Sequence, residues 1–288
     1  MLLGGHVSHA GGLPTAVDRA EALGARSLQI FAGSPRTWRQ PADDPEAMRR
    51  FRERAEETGI AAVVHATYLI NLGSTDDAVY GKSVRALQEA MGTARGIGAI
   101  GVVFHVGSHL GRGLDAALEQ IVPALQIVLG ENGDSDTWLL LENSAGAGGT
   151  IGVDVADLQR IVGELDGHPR LGVCLDTCHL WAAGVDITDP DRVDELLAEL
   201  DRAMGLDRLR SLHVNDSQLE LGANRDRHEN VGRGKIGNGL AVMLGHPGLQ
   251  GLPAVMETPG ADGKGVDKRE MRSLRRLHKR GVELWSSR

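Results

Sequence analysis

The sequence predicts an α/β fold, a single (β/α)8 TIM barrel, on three observations. Apolar strand-like runs alternate eight times with amphipathic helical patterns along the chain. Its 288 residues lie close to the ~250 usual for such a barrel. Six of the apolar runs end in His, Glu or Asp, and barrel sites gather at the C-terminal ends of strands.

Leu2–Val7 reads as the first strand, followed by a Gly-Gly turn and a helix over Leu13–Leu23. Ser27–Phe31 is the second, and the charged helical stretch Pro45–Glu57 follows it. Ile60–His65 precedes a helix within Asp76–Gly96, and Ile100–His105 precedes one over Leu114–Leu129. Thr137–Glu142 is the fifth strand, with a helix near Val155–Leu165. Leu171–Asp176 is buried on both faces by its composition, delivers Asp176 and His179 into a turn, and leads to a helix over Asp191–Met204. Arg208–Val214 is followed by a long loop and a short helix near Leu240–Leu244. Pro253–Glu257 is the eighth strand, and the last helix covers Lys268–Lys279.

A doubly wound sheet is the rival, but Gly11-Gly12 lacks the G-x-G-x-x-G spacing of its phosphate turn. No linker, repeat or low-complexity tract splits the chain, so one domain over 1–288 is expected. A hydrophobic content of 41% supports a large core, and no apolar run reaches the ~18 residues of a membrane span. Two cysteines make no disulfide scaffold, and the N-terminus has no secretory pattern; a reducing, cytoplasmic setting is expected. The net charge of −8 argues against a protein that coats nucleic acid, though not against local phosphate binding.

The candidate ligands are His65, His105, Glu142, Asp176, His179, His213, Asp226, His228 and Glu257. Five imidazoles and four carboxylates suit zinc, manganese or iron better than magnesium or calcium, and exceed what one four-coordinate zinc can use. A bridging carboxylate would let them serve a two- or three-metal cluster, the usual device for phosphoryl displacement. Singly, each histidine also reads as an ordinary loop or core residue. Glu142 and Glu257 do not, because each ends an apolar strand and a buried carboxylate needs a partner.

Other residues carry less. Cys174 and Cys178 read as small core residues, His6 and His9 as donors near the site, and His168, His246 and His278 as peripheral. Tyr68 and Leu69, like Arg36 and Trp38, read either as loop packing or as a wedge for a base stack. Arg225, Arg227, Arg233 and Lys235 form a basic patch, either solvated surface or a phosphate contact.

Several segments resemble the endonuclease IV family of apurinic/apyrimidinic endonucleases. They are Gly5-His-Val-Ser-His-Ala-Gly-Gly12, His65-Ala-Thr-Tyr-Leu-Ile-Asn-Leu-Gly73, Phe104-His-Val-Gly-Ser-His109, Leu141-Glu-Asn-Ser-Ala-Gly146, Cys174-Leu-Asp-Thr-Cys-His179, Leu212-His-Val-Asn-Asp216, Asp226 through Gly237, and Glu257-Thr258. Xylose-isomerase-like barrels share the fold and some ligands, but not this whole set. The resemblance implies three zinc ions, with manganese or iron as substitutes. His65, His105 and Glu142 would hold one; Glu142, Asp176, His213 and Glu257 a second; His179, Asp226 and His228 the third. It implies hydrolysis of the phosphodiester 5′ to abasic sites in duplex DNA, with Glu142 and Glu257 catalytic, and trimming of blocked 3′ ends. Arg36, Tyr68 and Leu69 match the family's intercalating positions, Arg225 and Arg227 are expected on DNA, and a monomer is implied. His9 stands where relatives often carry a small residue, and the loops 130–136 and 260–265 follow no pattern. The competing readings are a sugar isomerase or epimerase on the same barrel and a lesion-binding module without catalysis.

Overall fold

Each apolar run read as a strand forms one in the computed structural model, which describes residues 1–39, 44–133 and 135–288. They are β1 (Leu2–His6), β2 (Ser27–Phe31), β3 (Ala61–His65), β4 (Gly101–His105), β5 (Trp138–Glu142), β6 (Leu171–Asp176), β7 (Leu209–His213) and, last in the chain, β10 (Pro253–Met256). All pair in parallel and close a barrel in the order β1, β10, β7, β6, β5, β4, β3, β2. Between β7 and β10 the long loop contains a two-stranded antiparallel pair, β8 (Asp216–Ser217) with β9 (His228–Glu229). Of the loop 130–136, Asp134 lies outside the described residues.

The helices are α1 (Pro14–Leu23), α2 (Pro45–Thr58), α3 (Asp77–Ile97), α4 (Leu114–Gly130), α5 (Val155–Glu164), α6 (Thr177–Ala182), α7 (Pro190–Met204), α8 (Leu240–Gly245) and α9 (Lys268–Ser286). Their starts follow local chemistry. Asp44, Asp76, Asp154, Asp189 and Asp267 accept backbone N–H groups as caps, and Pro45 and Pro190 stand at first-turn positions where no amide is needed. Helix α9 runs seven residues past the expected end at Lys279, with Leu277 and Gly281 still buried on its inner face. Among the described residues, no helix is long and apolar enough to cross a membrane.

Strand alternation sets the height of the site. Val63, Val103, Leu140 and Cys174, all fully buried, form one apolar cluster inside the barrel. Two residues further along the same strands, and so on the same face, stand His65, His105, Glu142 and Asp176. The barrel is therefore plugged by hydrocarbon directly beneath a layer of ligands. The register lays that layer across neighbouring strands, with His105 opposite Glu142 and Asp176 opposite His213.

Candidate metal centre

Glu142 is the hub. Its carboxylate is 1% exposed, and imidazoles approach both oxygens. His65 Nε2 and His105 Nε2 lie 3.2 and 3.5 Å from Oε2, while His213 Nδ1 and His179 Nδ1 lie 2.8 and 3.5 Å from Oε1. A carboxylate presenting one oxygen to His65 and His105 and the other to His213 is arranged to bridge. Glu142, Asp176, His213 and Glu257 each offer a ligand atom within 4.8 Å of the others, as do His65, Glu142 and His213. His105, half-buried, joins the first set only through its approach to Glu142. His179, Asp226 and His228 make a further group, with His228 Nε2 3.1 Å from Asp226 Oδ1 and His179 Nε2 3.4 Å from Asp226 Oδ2.

Main chain and neighbouring polar groups aim these donors. His65 Nδ1 donates to Ala66 O at 2.7 Å and His179 Nδ1 to Asn143 O at 2.9 Å, which leaves Nε2 of each turned to the cluster. Asp176, expected to open a turn, instead caps α6: Oδ1 accepts His179 N at 2.9 Å, so His179 rides on the first turn of a six-residue helix. Oδ2 of Asp176 accepts Asn215 Nδ2 at 2.6 Å and faces His228 Nε2 at 3.6 Å. Asn215 also accepts Glu257 N at 2.8 Å. Asn143, Asn215 and Gln29 hydrogen-bond the candidate ligands and are not singled out by the sequence reading. Asn143 and Asn215 directly follow expected ligands or lie two residues beyond one, a signal that could have found them; Gln29 follows none.

The electrostatics fit bound cations. Burial pushes the Glu142 carboxyl up, yet the surrounding imidazoles hold it well below the usual carboxylate range. Burial pushes His179 and His228 down, yet Asp176 and Asp226, with Glu142 for the first and Glu257 for the second, raise them to about 10 and about 9. Without an ion, the cluster is neutralised by protons on imidazole. Divalent ions would displace those protons and satisfy the same carboxylates. His228 Nε2 carries a direct sign of this: it is buried and, though near Asp226, is not aligned to hydrogen-bond any group. The nitrogen–oxygen donor set suits zinc and its first-row neighbours.

The rim is open. One cleft of about 690 Å³ is lined by His6, Ser8, His9, Phe31, Arg39 and Lys264. A second, of about 500 Å³, is lined by Tyr68, Leu69, His105, His179 and Asp226. Tyr68 is 49% exposed. Its ring packs edge-on at 5.3 Å from Phe31 and 5.4 Å from His65. Leu69 is half-buried beside it, and Arg36 is exposed in a loop tied to this one by Tyr68 N donating to Pro35 O at 3.0 Å. Trp38 packs on the core instead. Arg225, Arg227 and Arg233 are exposed, while Lys235 pairs with Glu220 at 2.5 Å. His6 reaches the site only through Gln29, as an acceptor rather than a donor; His168, His246 and His278 serve peripheral turns and contacts.

A barrel whose strand ends pool histidines and carboxylates in this way belongs to a known class, and the profile described as "Xylose isomerase-like TIM barrel" matches residues 17–277. Over 280 residues the chain is 41% identical to a protein named "Probable endonuclease 4" from Halothermothrix orenii, covering 96% of this chain and 100% of that one. The crystal structure of endonuclease IV from Thermus thermophilus superposes with a TM-score of 0.84 at 36% identity, over 98% of this chain and 99% of that chain. A D-tagatose 3-epimerase-like protein, 18% identical with a TM-score of 0.73 over 100% of this chain and 99% of its own, shares the fold alone. The chain belongs to the endonuclease 4 family of these barrels.

Proposed function

We propose that the chain is a DNA-repair nuclease that hydrolyses the phosphodiester 5′ to abasic sites in duplex DNA, leaving a 3′-hydroxyl and a 5′-deoxyribose phosphate. The observation that carries this reading is the Glu142 carboxylate approached at one oxygen by His65 and His105 and at the other by His213, at the foot of an open, aromatic-rimmed cleft. In this reading His65, His105 and Glu142 hold one zinc, Glu142, Asp176, His213 and Glu257 a second, and His179, Asp226 and His228 a third; manganese or iron can replace zinc. When bound, the ions polarise the phosphoryl oxygens and acidify the attacking water.

The chain's own groups do the positioning. Against burial, His213 and His65 hold the Glu257 carboxyl down to about 2, so it stays ionised and able to orient the nucleophile or accept its proton. Three divalent ions against the four carboxylates would leave about +2 facing a phosphate, despite the chain's net charge of −8. Arg36, Tyr68 and Leu69 stand where loop side chains can fill the gap left by an extruded nucleotide. Extrusion costs least where the base is already missing, which gives lesion selectivity without a base-reading pocket. Arg225 and Arg227 contact flanking phosphates, and the same displacement trims blocked 3′ ends. We place the protein in the cytoplasm as a monomer and as one domain.

The test is a labelled duplex carrying one tetrahydrofuran abasic analogue. Incision 5′ to the analogue, with intact duplex spared, is the expected result. A fully metal-loaded chain that leaves the strand intact, or that turns over a ketose instead, refutes the nuclease reading.

A further inference from the structure

Gln29 is a fully buried polar side chain midway along β2. All its hydrogen-bonding ends are engaged. Its Oε1 accepts His213 Nε2–H at 2.8 Å. Its amide nitrogen donates to Glu257 Oε1 at 2.6 Å and to His6 Nδ1 at 3.2 Å. Chemistry fixes this orientation: a turned amide would set its oxygen against the Glu257 carboxylate. We infer that Gln29 is a positioning residue that selects which atoms of His213 and Glu257 face the metal centre, an inference that rests on the metal-dependent reading above.

The selection is specific on both sides. With Nε2–H committed to Gln29, His213 must present Nδ1, which lies 2.8 Å from Glu142 Oε1 and 3.3 Å from Glu257 Oε2. With Oε1 tied by a short bond, Glu257 presents Oε2 to the same point. A single amide thus couples the imidazole at the end of β7 to the carboxylate after β10, reaching across from a strand that pairs with neither. Two ligands of the same proposed ion are set together, by a group that is at once donor and acceptor; a carboxylate or an aliphatic side chain cannot fill both roles toward these two partners. Outer partners of this kind are worth tenfold to a hundredfold in metal affinity or activity.

The test compares wild type with Gln29→Met, which keeps the volume without the hydrogen bonds, and Gln29→Asn, which keeps an amide but shortens its reach. Zinc affinity is read by competition with a chromophoric chelator on the whole chain, alongside kcat and KM on the abasic duplex and thermal melting without metal. We expect one zinc of the set to weaken tenfold or more in both variants while the others hold. We also expect kcat to fall with KM unchanged; metal-free melting drops by a few degrees, the cost of stranding the buried His213 Nε2–H, while the remaining zinc ions bind as in wild type, a split that simple loosening of the core does not produce. Zinc uptake and kcat equal to wild type in both variants overturn the inference and leave the nuclease reading standing. A wild-type chain that takes up no zinc overturns both.

Discussion

Replacing Asp216 with alanine should unfasten the loop that carries part of the third ligand group. Asp216 is fully buried, and its carboxylate accepts five backbone N–H groups, from Ser217, Gly232, Gly234, Ile236 and Gly237, at 2.8–3.1 Å. The cradle closes because Gly234 has no side chain: a Cβ there would lie 2.5 Å from Asp216 Oδ1 and 2.2 Å from Ser217 O. Asp216 and Ser217 also pair with Glu229 and His228, so the same carboxylate anchors both edges of the loop. Without it, the donors on Gly232, Gly234 and Gly237 can turn to water, but those on buried Ser217 and Ile236 cannot. At about 1–3 kcal/mol for each of the two stranded buried donors, the loss is about 2–6 kcal/mol. A chain of this size has an unfolding entropy of about 0.6 kcal/mol/K, which makes the expected fall in Tm about 3–10 °C. Asp216→Asn, which retains one acceptor oxygen, should fall between. The assay is thermal melting followed by circular dichroism, with hydrogen exchange on Gly232 to Gly237. A shift under about 2 °C with unchanged exchange would refute the anchoring role.

Glu257→Gln should lower kcat by about a hundredfold or more while the abasic duplex still binds, as rapid-quench and band-shift measurements would show. Glu142→Gln should be more damaging, because one substitution removes a ligand from two ion sites; elemental analysis should find more than one zinc lost per chain. Tyr68→Ala with Leu69→Ala should weaken binding to abasic duplex by about tenfold and leave intact duplex unaffected, the expectation for a side chain that only fills a gap. In metal-free protein, His179 and His228 are raised to about 10 and about 9 against an ordinary 6.5. Their ion pairs therefore stabilise the fold fully below pH 6.5 and are lost as the pH rises through 9 to 10. Zinc reverses the sign by displacing those protons, so the melting curves with and without zinc should diverge as the pH rises from about 6 to about 10.

The residues that end strands were legible because two signals coincide there, an apolar run and a polar residue that burial would otherwise penalise. Glu142 is the clearest case, standing at the end of Trp-Leu-Leu-Leu in a strand with no other polar residue before it. The grouping of those ligands was legible only through the family resemblance, not from spacing or periodicity. Which oxygen of Glu142 meets which imidazole depends on barrel closure, which brings together strands far apart in sequence. Gln29 was missed for the same reason: His213 and Glu257 lie 184 and 228 positions away, and Ser-Leu-Gln-Ile-Phe alone reads as an ordinary strand. Helix α6 reads as a turn in the sequence because six residues are too few to show a period, although an aspartate capping the amide three residues on is a recognised start signal. Asp216 reads as a loop residue because four of its five partners lie sixteen to twenty-one positions later, and all are backbone amides that leave no side-chain pattern.

The most direct test of the account is a zinc titration of the chelator-stripped chain, with incision of the tetrahydrofuran duplex and bound zinc measured on the same samples. The account predicts no incision without metal and activity that rises as zinc approaches three per chain. Full incision by the stripped chain, or saturation of activity at a single zinc, would contradict it.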